Sequence, residues 1–211
     1  MFNSGFIESG YDPKDIILDQ EMEAKSASLP LEYDFSKYMS LHAKDQGRTY
    51  TCVPQSLAQM IECRKKLDDP NTTFQLDIDD IYNSRPEPTN GMCIRDALDY
   101  IKYTGFKDKK EEEVREKILL FGRLTSQYAI KTSVFMNGPC MIALPVYDST
   151  RAQFWRGSKY EGGHAIACVG YDESGFKLLN SWGQSWGDFG MCTLPYEDVN
   201  QILECWTLIT K

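Results

Sequence analysis

Only two histidines occur in the 211 residues, and no two cysteines lie closer than eleven positions apart. The scarcity of histidine leaves little room for a His-rich metal site. The cysteine spacing removes the C-x-x-C pairs that a structural zinc site or a thioredoxin motif requires. Basic charge is also short, with 23 Lys+Arg against 31 Asp+Glu and a net charge of −8. A phosphate-backbone binder would need a basic face, so nucleic acid is not an expected partner. The longest apolar runs, such as 141–144, fall far below the ~20 residues of a membrane span. The N-terminus carries acids and no sustained apolar stretch, so neither a secretory signal nor a membrane partner is expected. What is present is 42% apolar and 12% aromatic residues, enough to bury a core and to exclude a disordered chain. The length fits one domain or two small lobes. Without a secretion signal, the seven cysteines read as free thiols in a reducing compartment, each by default a small buried hydrophobe.

The hydrophobic period changes along the chain. Residues 1–28 are polar and turn-rich and read as an arm. Residues 52–67 recur at helical spacing through Val53, Leu57 and Met60/Ile61, and Asp69-Pro70-Asn71 stops them. Residues 94–103 form a second amphipathic pattern, closed by Gly105. Residues 109–117 are a charge run, read as a solvated linker or helix. Residues 126–136 predict a third helix before Asn137-Gly138-Pro139. Beyond them, 140–147, 164–171, 176–180, 191–194 and 203–209 are short apolar or alternating runs punctuated by Gly, Pro, Asp and Ser. A helical half therefore precedes a strand-rich half, an α+β pattern of two lobes.

Three local motifs carry no weight. Gly183-Gln184-Ser185-Trp186-Gly187 matches G-x-S-x-G but lacks the strand before and helix after that a hydrolase elbow needs. Asp188-Phe189-Gly190 spells a kinase triplet without its companion motifs. Asn71-Thr72-Thr73 is a glycosylation sequon, relevant only to a secreted chain. Cys52 is different, because it opens a predicted helix, with Pro54 tolerated in the first turn. The positive end of the helix dipole favours a thiolate there. Gln46 lies six residues upstream, and its amide can turn back toward the helix start. His164 follows Gly162-Gly163 at the start of a predicted strand. Pairing Tyr171 with Phe176 in the next hairpin sets Asn180 opposite Ala167, on the wrong pleat for His164. A bulge or wider loop is needed to align the two.

These residues carry a resemblance. Residues 44–58 resemble the active-site segment of papain-like cysteine peptidases, which reads D-Q-G-x-C-G-S-C-W-A. Gly163-His164-Ala165-Ile166, Asn180-Ser181-Trp182-Gly183 and Ser185-Trp186-Gly187-Asp188-x-Gly190 resemble that family's His and Asn segments. Leu29-Pro30-x-x-x-Asp34 is similar to the usual start of a mature enzyme. Tyr82-Asn83-Ser84-Arg85, Gly91 with Ile94-Arg95-Asp96-Ala97-Leu98, and Gly138-Pro139 with Pro145-Val146-Tyr147 look most like bacterial and virus-encoded members. The likeness covers residues 11–211. Val53 departs from it by replacing the family's Trp, and Tyr50-Thr51 replace Gly-Ser. Thr49 stands where a disulfide cysteine is usual. His164 and Asn180 follow Cys52 by 112 and 128 residues, against about 130–150 in papain and cathepsin enzymes. The family's long inhibitory propeptide does not fit in residues 1–28, so control of activity is expected from elsewhere.

The resemblance implies a two-lobe papain-like fold, helical over about 30–108 and β-rich over about 109–211, with the cleft between. It implies hydrolysis of peptide bonds in proteins or peptides by a thiol endopeptidase, without metal or cofactor. Cys52 would be nucleophile and His164 its base, held as a thiolate–imidazolium pair. Asn180 would orient the imidazole. Gln46 and the Cys52 N–H would hold the oxyanion. Trp182 would cover the His–Asn contact, and Gly91, Met92, Ala165 and Trp182 are the candidate substrate-binding residues. His42, outside any motif, reads as an ordinary satisfied histidine. A proteinaceous inhibitor is a further implied partner. The missing signal and the loss of the disulfide position at Thr49 lead to an expected cytoplasmic or virion-associated setting. Residues 1–28 are read as a minimal proregion, packed on the enzyme or occluding the cleft. Two other readings stay open: an acyl transferase or amidase using the same triad, and a catalytically silent binding protein.

Overall fold

The computed structural model describes residues 3–24, 29–36, 43–86, 88, 90–111 and 114–210. The chain opens with strand β1 (Phe6–Ile7), helix α1 (Asp19–Glu23) and strand β2 (Tyr33–Asp34). Helices α2 (Cys52–Asp68) and α3 (Ile78–Asn83), strand β3 (Met92–Cys93) and helix α4 (Ile94–Tyr103) follow. Strand β4 (Leu120–Arg123) and helix α5 (Gln127–Asn137) lead into strands β5 (Cys140–Val146), β6 (Gly162–Tyr171), β7 (Gly175–Leu179), β8 (Met191–Pro195) and β9 (Glu204–Ile209).

The three predicted helices form within a residue of their expected ends. Helix α2 buries Val53, Leu57, Met60 and Ile61, and α4 buries Ile94, Ala97, Leu98 and Ile101, as the 3.6 period requires. Gly105 ends the α4 segment with φ +98°, and a Cβ there would sit 2.7 Å from the Glu116 carbonyl oxygen. The Ser126 hydroxyl accepts from the Ala129 N–H at 3.1 Å and starts α5. Among its described residues the charge run at 109–117 forms no helix, which leaves the linker reading. Its described part turns back through paired Phe106 and Glu116, and residues 112–113 lie outside the description. His42 also lies outside it.

Among the described residues the nine strands form one mixed sheet in the order β3-β1-β6-β5-β9-β4, with β2 and β7 also on β6 and β8 on β7. Strands from the helical half thus complete the sheet of the other half. Every residue of β5 is buried, and all of β6 but Gly162, so both read as continuous apolar runs. Helices α2 and α5 pack against β6, which makes β6 the spine of the core. The architecture is α+β, as expected. No helix among the described residues is long and apolar enough to cross a membrane.

Candidate active site

Cys52 is the first residue of α2, and its side chain is fully buried. The opening of α2 is tied to the start of β6. Ser56, one turn on, donates from Oγ to the Ala165 carbonyl at 3.0 Å. Burial pushes the Cys52 thiol up to about 11, and hydrogen bonds with the backbone of Ala165, Gly5 and Val53 pull it only partly back. The expected preference for thiolate at a helix N-terminus is therefore outweighed here by desolvation.

His164 is the third residue of β6. Its Nε2 lies 2.7 Å from Asn180 Oδ1. The Ser181 N–H also donates to that oxygen at 2.7 Å, which fixes the atom as an acceptor. His164 Nε2 must then carry the proton, and Nδ1 is left as the basic nitrogen. Nδ1 has no hydrogen-bond partner among the described residues. Burial pushes the His164 imidazolium down to about 4 against the help of Asn180. Burial thus favours the neutral form of each, and no hydrogen bond joins Cys52 Sγ to His164 Nδ1.

The alignment of His164 with Asn180 comes from a bulge, as the hairpin arithmetic demanded. Tyr171 pairs with Phe176 and Gly170 with Lys177, but the register shifts between Cys168 and Gly170, so Cys168 faces Leu178. One residue past β7, that register sets Asn180 opposite Ile166, on the pleat shared with His164.

Aromatic rings close this pair off from water. Trp182 lies over the imidazole, centroids 4.3 Å apart at 31°. Phe154 meets the imidazole edge-on at 5.6 Å and Trp182 at 5.1 Å, and Trp186 abuts Trp182 at 5.2 Å. Phe154 had no sequence signal, since it lies in a loop without a period. Gln59 was also missed: its Nε2 donates to the Asn180 carbonyl at 2.9 Å.

Gln46 is buried beside the same segment. Its Nε2 donates to the carbonyls of Thr49 and Asn3, both at 3.0 Å, which leaves Oε1 to accept from Ser181 Oγ at 2.7 Å. The Asn3 carbonyl thus occupies the donor that the resemblance assigns to an oxyanion. The arm continues past Cys52: the Gly5 carbonyl accepts from the Met92 N–H at 2.8 Å, and Phe6 pairs with both Met92 and Gly163. Gly91 has φ +117°, and a Cβ there would lie 2.6 Å from the Gly5 oxygen. The structure therefore brings Cys52, Gln46, Gly91 and Met92 against one stretch of arm, residues 3–6, while Ala165 contacts Cys52 and Ser56. Trp182 sits on the His164 ring instead. All seven cysteines are unbridged.

The model of the papain family cysteine proteases matches residues 29–205. The chain belongs to that family. Its fold is similar to that of xylellain, a cysteine protease from Xylella fastidiosa, with TM-score 0.83 and 22% identity over 99% of this chain and 96% of that one. It is also similar to proCathepsin B S9 from Trypanosoma congolense, with TM-score 0.79 and 16% identity over 99% and 87% of the two chains. A gut-specific cysteine proteinase of Caenorhabditis elegans is 35% identical over 71 residues, 29% of this chain and 22% of that protein. The gamete and mating-type specific protein A of Dictyostelium discoideum is 25% identical over 196 residues, covering 81% of this chain and 43% of that protein. The matched stretch is less than half the length of either curated relative.

Proposed function

We propose that this chain is a thiol endopeptidase that hydrolyses protein or peptide substrates through a thioester. The single observation carrying this reading is the His164–Asn180 pair, 2.7 Å apart under Trp182, with Nδ1 left unpartnered on the strand whose Ala165 backbone contacts the Cys52 thiol. Nδ1 takes the Cys52 proton, the thiolate attacks the peptide carbonyl, and the imidazolium returns the proton to the departing amine. A water, deprotonated by His164, then opens the thioester. Gln46 Nε2 and the Cys52 N–H stabilise the oxyanion once Asn3 has left. Gly91 and Met92 offer substrate the backbone edge that β1 now uses.

The test is covalent labelling by a peptidyl epoxide or vinyl sulfone in a chain freed of its first eight residues. Stoichiometric modification of Cys52, lost in His164→Ala, is expected together with peptide cleavage. Labelling that survives His164→Ala would reject the pair. Cleavage products replaced by transfer products when amines are added would favour the acyl transferase reading.

A further inference from the structure

A cavity of about 330 Å³ lies along α2, beyond its opening turn. Gln59, Glu62, Cys63 and Lys66 line it, and their spacing of three and four residues sets them on one face of the helix. Cys52, Gln46, Gly91 and Met92 do not line it. Its inner wall is nevertheless shared with the candidate site. Leu179, which precedes Asn180, lines the cavity, and so does Gln59, whose Nε2 donates to the Asn180 carbonyl at 2.9 Å. Lys44 is a third shared residue, since its carbonyl accepts from the Gly183 N–H at 3.0 Å. The cavity thus backs onto the segment 179–183 that carries Asn180.

Charge in the cavity runs against that of the chain. The whole molecule carries −8, yet three lysines and, among the described residues, one carboxylate line this space. That carboxylate is already engaged: Glu62 Oε1 accepts from Lys44 Nζ at 2.9 Å and from the Leu76 N–H at 3.1 Å. Lys66 and Lys110 have no ion-pair partner among the described residues. Two positive charges are therefore left uncompensated. Phe74, held edge-on against Phe106 at 6.1 Å, joins Leu179 and Cys63 as the apolar part of the wall. One further group is unsatisfied. Gln59 is 3% exposed, and its Oε1 has no hydrogen-bond partner among the described residues. A buried amide oxygen without a donor is uncommon in a settled core, and it leaves the Gln59 amide held on one side only.

We infer that this cavity binds a small organic phosphate, an apolar body with a dianionic head, and that its occupant bears on Asn180 through Gln59. The volume lies at the lower end of the roughly 300–1,000 Å³ of small-molecule sites. Lys66 and Lys110 match the charge of a phosphate monoester, about −1.5 to −2 at pH 7. Phe74 and Leu179 take the apolar body. Inorganic phosphate lacks the body and a neutral aromatic lacks the head, so neither uses both halves of the wall. An occupant pressing on Gln59 acts on the Asn180 backbone, and Asn180 Oδ1 holds the His164 ring at 2.7 Å. The effect on turnover rests on the proposed peptidase reading; binding and the state of the His164 ring do not.

The test is a titration of the full chain carrying His42→Gln, which leaves His164 as the one histidine. Phenyl phosphate, inorganic phosphate and benzyl alcohol are the probes, with affinity read by calorimetry and the His164 ring by NMR. Phenyl phosphate is expected to bind with Kd of about 1 mM or tighter, at least about tenfold tighter than either other probe, and more weakly as salt is raised. Lys66→Ala with Lys110→Ala is expected to weaken it about tenfold. The His164 ring signals are expected to shift at saturation, and to stay still in Gln59→Met saturated with the same probe. Absence of saturable binding at about ten times that concentration, or binding unchanged in the double lysine variant, would overturn the site. Equal binding of inorganic phosphate would overturn the organic ligand. His164 signals that do not move at saturation in the chain with Gln59 intact would overturn the coupling. A chain that binds phenyl phosphate and shifts His164 but cleaves no peptide would count against the peptidase reading and leave this inference standing.

Discussion

The Gln46 amide is oriented by the Thr49 and Asn3 carbonyls, which can only accept and so take its Nε2, leaving Oε1 to accept from the Ser181 hydroxyl. The Asn3 and Ser181 contacts come from residues far apart in sequence, and nothing in Lys44-Asp45-Gln46-Gly47 announces them. As a candidate Gln46 was nonetheless legible, through the resemblance of residues 44–58 to the papain-like active-site segment. We expect Gln46→Ala, in the chain freed of its first eight residues, to lower kcat about 10²–10³-fold with a smaller change in KM. Steady-state kinetics check this, and a loss confined to KM would place Gln46 in substrate binding instead. Phe154 marks the opposite case: it packs on both His164 and Trp182, yet its sequence surroundings are an ordinary loop.

At the level of elements, the helix-to-strand contact between α2 and β6 positions the site. Ser56 donates to the Ala165 carbonyl in a fully buried setting, next to the residue that bears the imidazole. Ser56→Ala leaves that carbonyl without its donor and is expected to cost about 1–3 kcal/mol in urea unfolding. A cost near zero would mean that another donor takes its place. The helices were readable because α2, α4 and α5 carry their own period and stops. The strands β1, β2 and β3 were not, since two residues cannot show a period and exist as strands only through their partners. The bulge at Val169 lies between these cases. The hairpin arithmetic demanded an irregularity, but only pairing with β7 on one side and β2 on the other located it.

Across the whole molecule, the buried neutral histidine makes stability depend on pH. The folded imidazole titrates near 4, below its ordinary value of 6.5, so between these pH values the unfolded chain binds the extra proton. This contribution is fully present above pH 6.5 and is lost as pH falls toward 4, amounting to about 3 kcal/mol at most. Urea unfolding of the intact chain between pH 7 and 4.5 should show the loss, and His164→Gln should remove most of that slope. With all seven thiols free, reductant is expected to leave the thermal midpoint unchanged; a fall on reduction would reveal a disulfide.

By itself the sequence determined the α+β class, the three long helices and the main strands, and it singled out Cys52, His164, Asn180 and Gln46 as candidates. Each rests on short-range information: a period, a stop signal, or a motif a few residues wide. Tertiary structure alone decided that Asn180 shares a pleat with His164 and that Phe154 closes the aromatic cover. Burial also pushes the Cys52 thiol up and the His164 imidazolium down. Tertiary structure also laid residues 3–6 against Gln46, Gly91 and Met92, where the sequence had left open control from elsewhere or an arm packed on the enzyme or occluding the cleft. The partners of the arm could not be read from the arm itself. Its Ser9 is held by Glu204, 195 residues away in the chain, and a polar segment is indistinguishable from a solvated one until its partners are folded around it.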